Sequence, residues 1–156
     1  MKSEIKAIAL DVDGVLTDGG IWWGEHGEEF KRFCFRDVMG ISRAMREGID
    51  FAFISGEESS IVDRYAAKFG IVHVWKGCRD KAQALREFAI KRSLELTKIC
   101  FMGDDINDLP AIEIAGFSAA PADAHAAVLD RVSFKTQEKA GNGAVRELID
   151  HLFFPK

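Results

Sequence analysis

The stretch IKAIALDVDGVLTDGG, residues 5–20, decides how the rest of the chain is read. An apolar run, Ile5–Leu10, ends on Asp11 and Asp13, which flank a single valine, and Gly14 follows. The run reads as a buried strand, and the glycine lets the chain turn away from its end. A lone aspartate at such a place is ordinarily a helix cap or a solvated turn. In an open parallel sheet, however, ligands bind beyond the carboxyl ends of the strands, and both aspartates stand there.

The rest of the chain repeats this unit. Strands are expected at Ile5–Leu10, Asp50–Ile54, Ile71–Val74, Lys98–Met102, Phe117–Ala119 and Val132–Phe134. Helical patterns lie between them, which is the signature of an α/β fold with a parallel sheet. Asp37 is expected to cap a helix through Arg46. Ser59 or Ser60 opens one that runs to Gly70, and Asp80 caps Lys81–Lys91. Asp108 and Pro110 read as an N-cap and an early helical proline, and a last helix covers Ala144–Leu152. One segment, Gly19–Asp37, breaks the rhythm. Its centre, Gly24-Glu25-His26-Gly27, is turn-like and flanked by aromatic residues, so a β-hairpin is expected. Trp22, Trp23, Phe30, Phe33 and Phe35 put apolar groups on both faces, which implies either a covering subunit or folding back onto the core.

A length of 156 residues suits one domain. The net charge is −4, which argues against a nucleic-acid surface and means that an anionic substrate needs local positive charge or a metal. The apolar runs are too short for a membrane span. MKSEIK carries no signal-peptide pattern, so a cytoplasmic protein is expected. Cys34, Cys78 and Cys100 form no CxxC pair and read as reduced thiols.

The polar clusters all fall after predicted strands. They are Asp11 and Asp13, then Ser55-Gly56-Glu57, then Asp104, Asp105, Asn107 and Asp108, while Lys81 opens the helix after the third strand. Carboxylates gathered without histidine or paired cysteine favour a hard cation, and Mg²⁺ fits best. A carboxylate can also be the nucleophile of aspartyl-phosphate chemistry. Ser55, the Gly56 amide and Lys81 can hold phosphoryl oxygens. Together these parts describe a phosphoryl-transfer site.

At this point the chain resembles the haloacid dehalogenase superfamily of phosphatases. DVDGVLTD, FAFISG, Lys81 in CRDKAQAL, and FMGDDINDLPAI match its four motifs in order. The resemblance implies that Asp11 attacks phosphorus, and that Asp13 protonates the leaving oxygen and then activates water. It also implies that Asp11, the Asp13 carbonyl and Asp104 hold Mg²⁺. Ser55 and Lys81 hold the phosphoryl group, Asp105 and Asp108 orient metal waters or Lys81, and Asn107 supports its loop. The fold implied is Rossmann-like, in three layers, with the hairpin inserted after the first strand and no room for a cap domain.

Within the superfamily the chain resembles the 3-deoxy-D-manno-octulosonate 8-phosphate phosphatases, from DVDGVLTDG through ESSIVDRYAAKFGI and PADAHAAV to GNGAVRELI. That implies a phosphorylated sugar acid as substrate and a homotetramer without nucleic-acid or membrane partners. Residues 19–37 would be an oligomerisation flap within a single domain, 1–156, and residues 140–156 a tail and helix reaching a neighbour's site. The branch usually has Thr-Gly-Arg where this chain has Ser55-Gly56-Glu57. Glu57 resembles the nonulosonate 9-phosphate phosphatases instead, which act on sialic-acid-type sugars. Arg64 and Lys68, one turn apart on the next helix, either supply the missing positive charge or are plain solvated residues. A non-catalytic tetramerisation module is the alternative of another class, although such relatives tend to lose the acidic residues kept here.

Overall fold

The computed structural model describes residues 4–155. Its centre is a six-stranded sheet in the order β5-β4-β1-β6-β7-β8. The strands are β1 (Ala7–Leu10), β4 (Asp50–Ile54), β5 (His73–Trp75), β6 (Ile99–Met102), β7 (Phe117–Ala120) and β8 (Phe134–Lys135). Every pairing in it is parallel. The order turns back at β1, which lies between β4 and β6, and a crevice is expected beyond that reversal.

Residues of β1 alternate between two cores. Ile8 and Leu10 join Phe53, Val62, Ile41 and Leu148 on one face. Ala7 and Ala9 meet Leu85, Phe88 and Ile112 on the other. Three helices cover the first face: α1 (Phe35–Arg46), α2 (Ser60–Phe69) and α6 (Ala144–Phe153). The second carries α3 (Lys81–Arg92), α4 (Leu109–Ile114) and the short α5 (Ala126–Leu129). These are the three layers expected, with strands buried on both faces because helices cover both. None of the described helices is long and apolar enough to cross a membrane.

The helix signals held where side chains cap their own helix. Ser59 Oγ accepts the Ile61 amide at 3.3 Å, and Gly70 ends α2 in the left-handed region at φ 72°. Asp80 accepts the Gln83 amide at 2.9 Å. One expected cap failed. The helix expected from Asp37 begins earlier, at Phe35 after Cys34, so Asp37 lies inside its first turn. Its Oδ1 instead accepts the Arg146 amide at 2.9 Å and so caps α6 from outside, where Gly143 has no capping side chain. Asp108 stands at the N-cap of α4 with Pro110 just inside the helix, as expected, but its side chain makes no bond to α4, because its carboxylate is turned into the site described below.

The hairpin exists but is short: β2 (Trp22–Trp23) pairs antiparallel with β3 (Glu29–Phe30). The folding-back reading applies in part. Phe33 stacks on Tyr65 at the core, with ring centroids 4.1 Å apart, while Trp22, Trp23, Phe30 and Phe35 stay exposed. Residues 140–153 are built into the chain's own fold. Val145, Leu148, Ile149 and Leu152 bury the apolar face of α6 against α1, and the Gly141 amide donates to the Val15 carbonyl at 3.2 Å.

Burial pushes the Asp37 carboxyl up to about 6, against the pull of the Arg146, Gly143 and Val145 amides and of Arg36. Between about pH 4 and pH 6 the folded chain keeps a proton that the unfolded chain has lost, so stability falls as pH rises through that window. Asp37→Asn removes this loss. In urea unfolding the variant should gain on wild type by up to about 3 kcal/mol between about pH 4 and pH 7. A difference that stays constant across pH contradicts this account.

Candidate active site

The carboxyl ends of β1, β4 and β6 meet around one cavity of about 410 Å³. Asp11 leaves β1 with its amide still donating to the Met102 carbonyl of β6, at 3.0 Å. The Val12 amide holds Asp11 Oδ1 at 2.8 Å. Gly14 takes φ 82°, and a Cβ there would collide with the Asp104 carboxylate, so glycine is what lets the two loops close on each other.

Lys81, the first residue of α3, reaches inward with its side chain 2% exposed. Its ammonium donates to Asp11 Oδ1 at 2.8 Å and to Asp108 Oδ1 at 2.7 Å. Asp108 Oδ2 in turn accepts the amides of Asp104 at 2.8 Å and Asp105 at 3.2 Å. One carboxylate therefore orients the lysine and folds the acidic loop at once, closing a capping box with Asp105. Burial works to lower the Lys81 pKa, but the charges of Asp11 and Asp108 outweigh it and the net shift is upward. The lysine is held as a cation.

The cavity collects five carboxylates, those of Asp11, Asp13, Glu57, Asp104 and Asp105, against one lining cation, Lys81. Burial raises the carboxyls of Asp11 and Asp104, and neighbouring carboxylates raise both further. Oxygens of Asp11, Asp104 and Asp108 lie within 4.8 Å of one another. Asp108 is already committed to Lys81 and two amides, which leaves Asp11 and Asp104 as the pair able to take a cation. All-oxygen donors in a partly open cavity suit Mg²⁺, whose charge would offset the repulsion between these carboxylates.

Most residues picked out from the sequence meet here. Gly56 and Asn107 line the cavity with the carboxylates and Lys81. Asp105 lines it too, but its Oδ1 accepts the Ile106 amide at 2.7 Å and does not touch Lys81. Ser55 is buried beneath the loop, and its Oγ accepts the Glu57 amide at 3.2 Å. Arg64 and Lys68 are not brought together with the rest. Both are exposed on α2, which runs back from the carboxyl edge, and neither lines the cavity. Sequence reasoning missed Lys31, whose side chain is fully buried and bonds Asp13 Oδ2 at 3.0 Å. The signal was its alternation with Phe30 and Arg32, which puts it on the inward side with Phe33.

A family model described as haloacid dehalogenase-like hydrolase matches residues 50–148. The 3-deoxy-D-manno-octulosonate 8-phosphate phosphatase of Salmonella typhi is 40% identical over 148 residues, covering 95% of this chain and 79% of that protein. The phosphatase of the same name from Yersinia pestis superposes with a TM-score of 0.94 at 37% identity, covering 96% of this chain and 81% of the other. The Moraxella catarrhalis phosphatase, solved with magnesium ion, phosphate ion and a KDO molecule, gives a TM-score of 0.93 at 37% identity. There the coverage is 96% of this chain and 86% of the other.

The crowding of carboxylates predicts a metal-linked stability. Saturating Mg²⁺ should raise Tm, by the equivalent of about 3 kcal/mol at a hundredfold excess over Kd. Asp104→Asn should raise Tm without metal and abolish the response to Mg²⁺. A Tm indifferent to Mg²⁺ and EDTA would sink the assignment of Asp11 and Asp104 as its ligands.

Proposed function

The chain belongs to the haloacid dehalogenase-like hydrolases and, within them, to the 3-deoxy-D-manno-octulosonate 8-phosphate phosphatase family, and we propose that it hydrolyses that sugar acid phosphate with Mg²⁺ through an aspartyl-phosphate. The observation that carries this reading is the buried Lys81 ammonium held between Asp11 and Asp108 at the cavity floor. It places a fixed cation beside a carboxylate nucleophile where a phosphoryl group can enter.

Asp11, its plane fixed by Val12 and Lys81, attacks phosphorus while the bond to the sugar oxygen breaks. Asp13 gives that oxygen a proton, then takes one from the water that attacks phosphorus and releases Asp11. Lys81, the Ser55 hydroxyl and the Gly56 amide hold the phosphoryl oxygens. Asp11, Asp104 and the Asp13 carbonyl hold Mg²⁺, which supplies charge neutralisation for the transferring group. Asp108 keeps Lys81 in place, while Asp105 and Asn107 shape the loop.

Residues 19–37 are the assembly flap of a single domain. Three exposed aromatics on the two-stranded hairpin, with Phe35 at the start of α1, favour burial by other copies, and the resemblance supports a homotetramer. Three cysteines free of disulfides suit a reducing, cytoplasmic setting. Glu57 favours a second substrate reading. Its carboxylate lines the cavity and would accept bonds from sugar hydroxyls, as a nonulosonate 9-phosphate offers. Arg64 and Lys68 enter only if assembly brings a neighbour's α2 to the cavity.

Asp11→Asn should fold, give a wild-type circular dichroism spectrum, and lose at least about 10³-fold in kcat. Retained turnover removes Asp11 as nucleophile. Comparing kcat/KM for the octulosonate and nonulosonate phosphates, in wild type and Glu57→Arg, tests the specificity role. An unchanged preference in the variant removes Glu57 from it.

A further inference from the structure

Lys31 lies just past β3 on the inward side of the returning hairpin strand. Its neighbour Phe30 faces out at 60% exposure, while Phe33 packs inward on Tyr65 and bridges Thr17 of the first loop. Register therefore carries the Lys31 side chain towards the end of β1, where it is fully buried. Burying an ammonium is costly unless it is paired. Two carboxylates are within reach, Asp13 Oδ2 at 3.0 Å and Glu29 Oε1 at 3.6 Å. A lysine serving only to anchor the hairpin would bond Glu29 of its own strand. Instead Glu29 Oε1 is left without a hydrogen-bond partner, and the ammonium bonds Asp13.

The two Asp13 oxygens are thereby made unequal. Oδ2 is taken by the ammonium, while Oδ1 has only the long 3.4 Å contact from the Thr17 hydroxyl. Asp13 itself lines the cavity and is 26% exposed at its side chain. We propose that Lys31 is a positioning residue for the acid/base step. By holding Oδ2 it leaves Asp13 Oδ1 as the oxygen that carries the proton. Oδ1 passes that proton to the bridging oxygen as the phosphorus–oxygen bond breaks, then accepts one from the attacking water. This rests on the reading of Asp13 given above, and it makes the hairpin part of the catalytic apparatus as well as an assembly surface.

The test compares leaving groups. An alkoxide such as the sugar's needs a proton, whereas 4-nitrophenolate leaves without one. Lys31→Met should lower kcat on the sugar phosphate by about 10²-fold, with KM within about threefold, and Lys31→Arg should recover part of the loss. The single-turnover burst of nitrophenolate from 4-nitrophenyl phosphate should stay close to wild type. Equal losses on both substrates, or no loss on either, overturn the proposal.

Asp13→Asn, run beside it, separates the two claims. If it fails to discriminate between leaving groups, the reading of Asp13 is wrong. If it discriminates and Lys31→Met does not, only the role of Lys31 falls. The double variant also covers a poorly folding single, because it removes both charges together and leaves neither buried alone. Adding Lys31→Met to Asp13→Asn should cost less than about twofold, since Lys31 acts through Asp13. A further loss matching that of the single variant means that the lysine is merely structural.

Discussion

A single buried ammonium holds the working edge of this molecule together. Lys81 starts the helix that follows β5, Asp11 ends β1, and Asp108 belongs to the loop after β6. Their two bonds, 2.8 and 2.7 Å, join three separately built parts of the sheet edge. The geometry is closed further by Asp108, which folds its own loop through the amides of Asp104 and Asp105. Removing one partner would leave an uncompensated buried charge, a far larger cost than the loss of a surface pair. The same bonds that stabilise the loops bring Asp11, Asp104 and the Lys81 ammonium into one cavity.

The backbone plan was largely legible because each element carries its own local signal. Apolar runs marked the strands, and Ser59, Gly70 and Asp80 marked helix ends through bonds to near neighbours. Asp37 misled because its carboxylate bonds outside its own helix, to α6, and Asp108 holds its N-cap position while one of its oxygens serves Lys81 in the cavity. Nothing in a local pattern distinguishes a cap from a carboxylate needed elsewhere. The site was legible because its members follow strands, and strand ends converge by topology. Lys31 was hidden because it belongs to an insertion, whose register against the first loop is set by the contact between Thr17 and Phe33.

Arg64 and Lys68 mark a different limit. Their spacing puts them on one helical face, yet it does not say which end of the sheet that face overlooks. Helix α2 starts near the carboxyl edge at Ser59 and runs away from it, so each further turn takes a side chain about 5 Å from the cavity. Glu57, directly after β4, has no such distance to cover, and it is the member of that group that lines the cavity.

The bond from Lys31 to Asp13 has a consequence for how this scaffold can diversify. A loop after the first strand is an obvious place for a lineage to exchange one insertion for another, since the sheet itself need not change. Here the insertion carries the counter-ion of a residue at the sheet edge. Any replacement must supply a buried cation at the same spot or leave that aspartate unsupported, so the hairpin can drift in length and surface while one lysine and its register stay constrained.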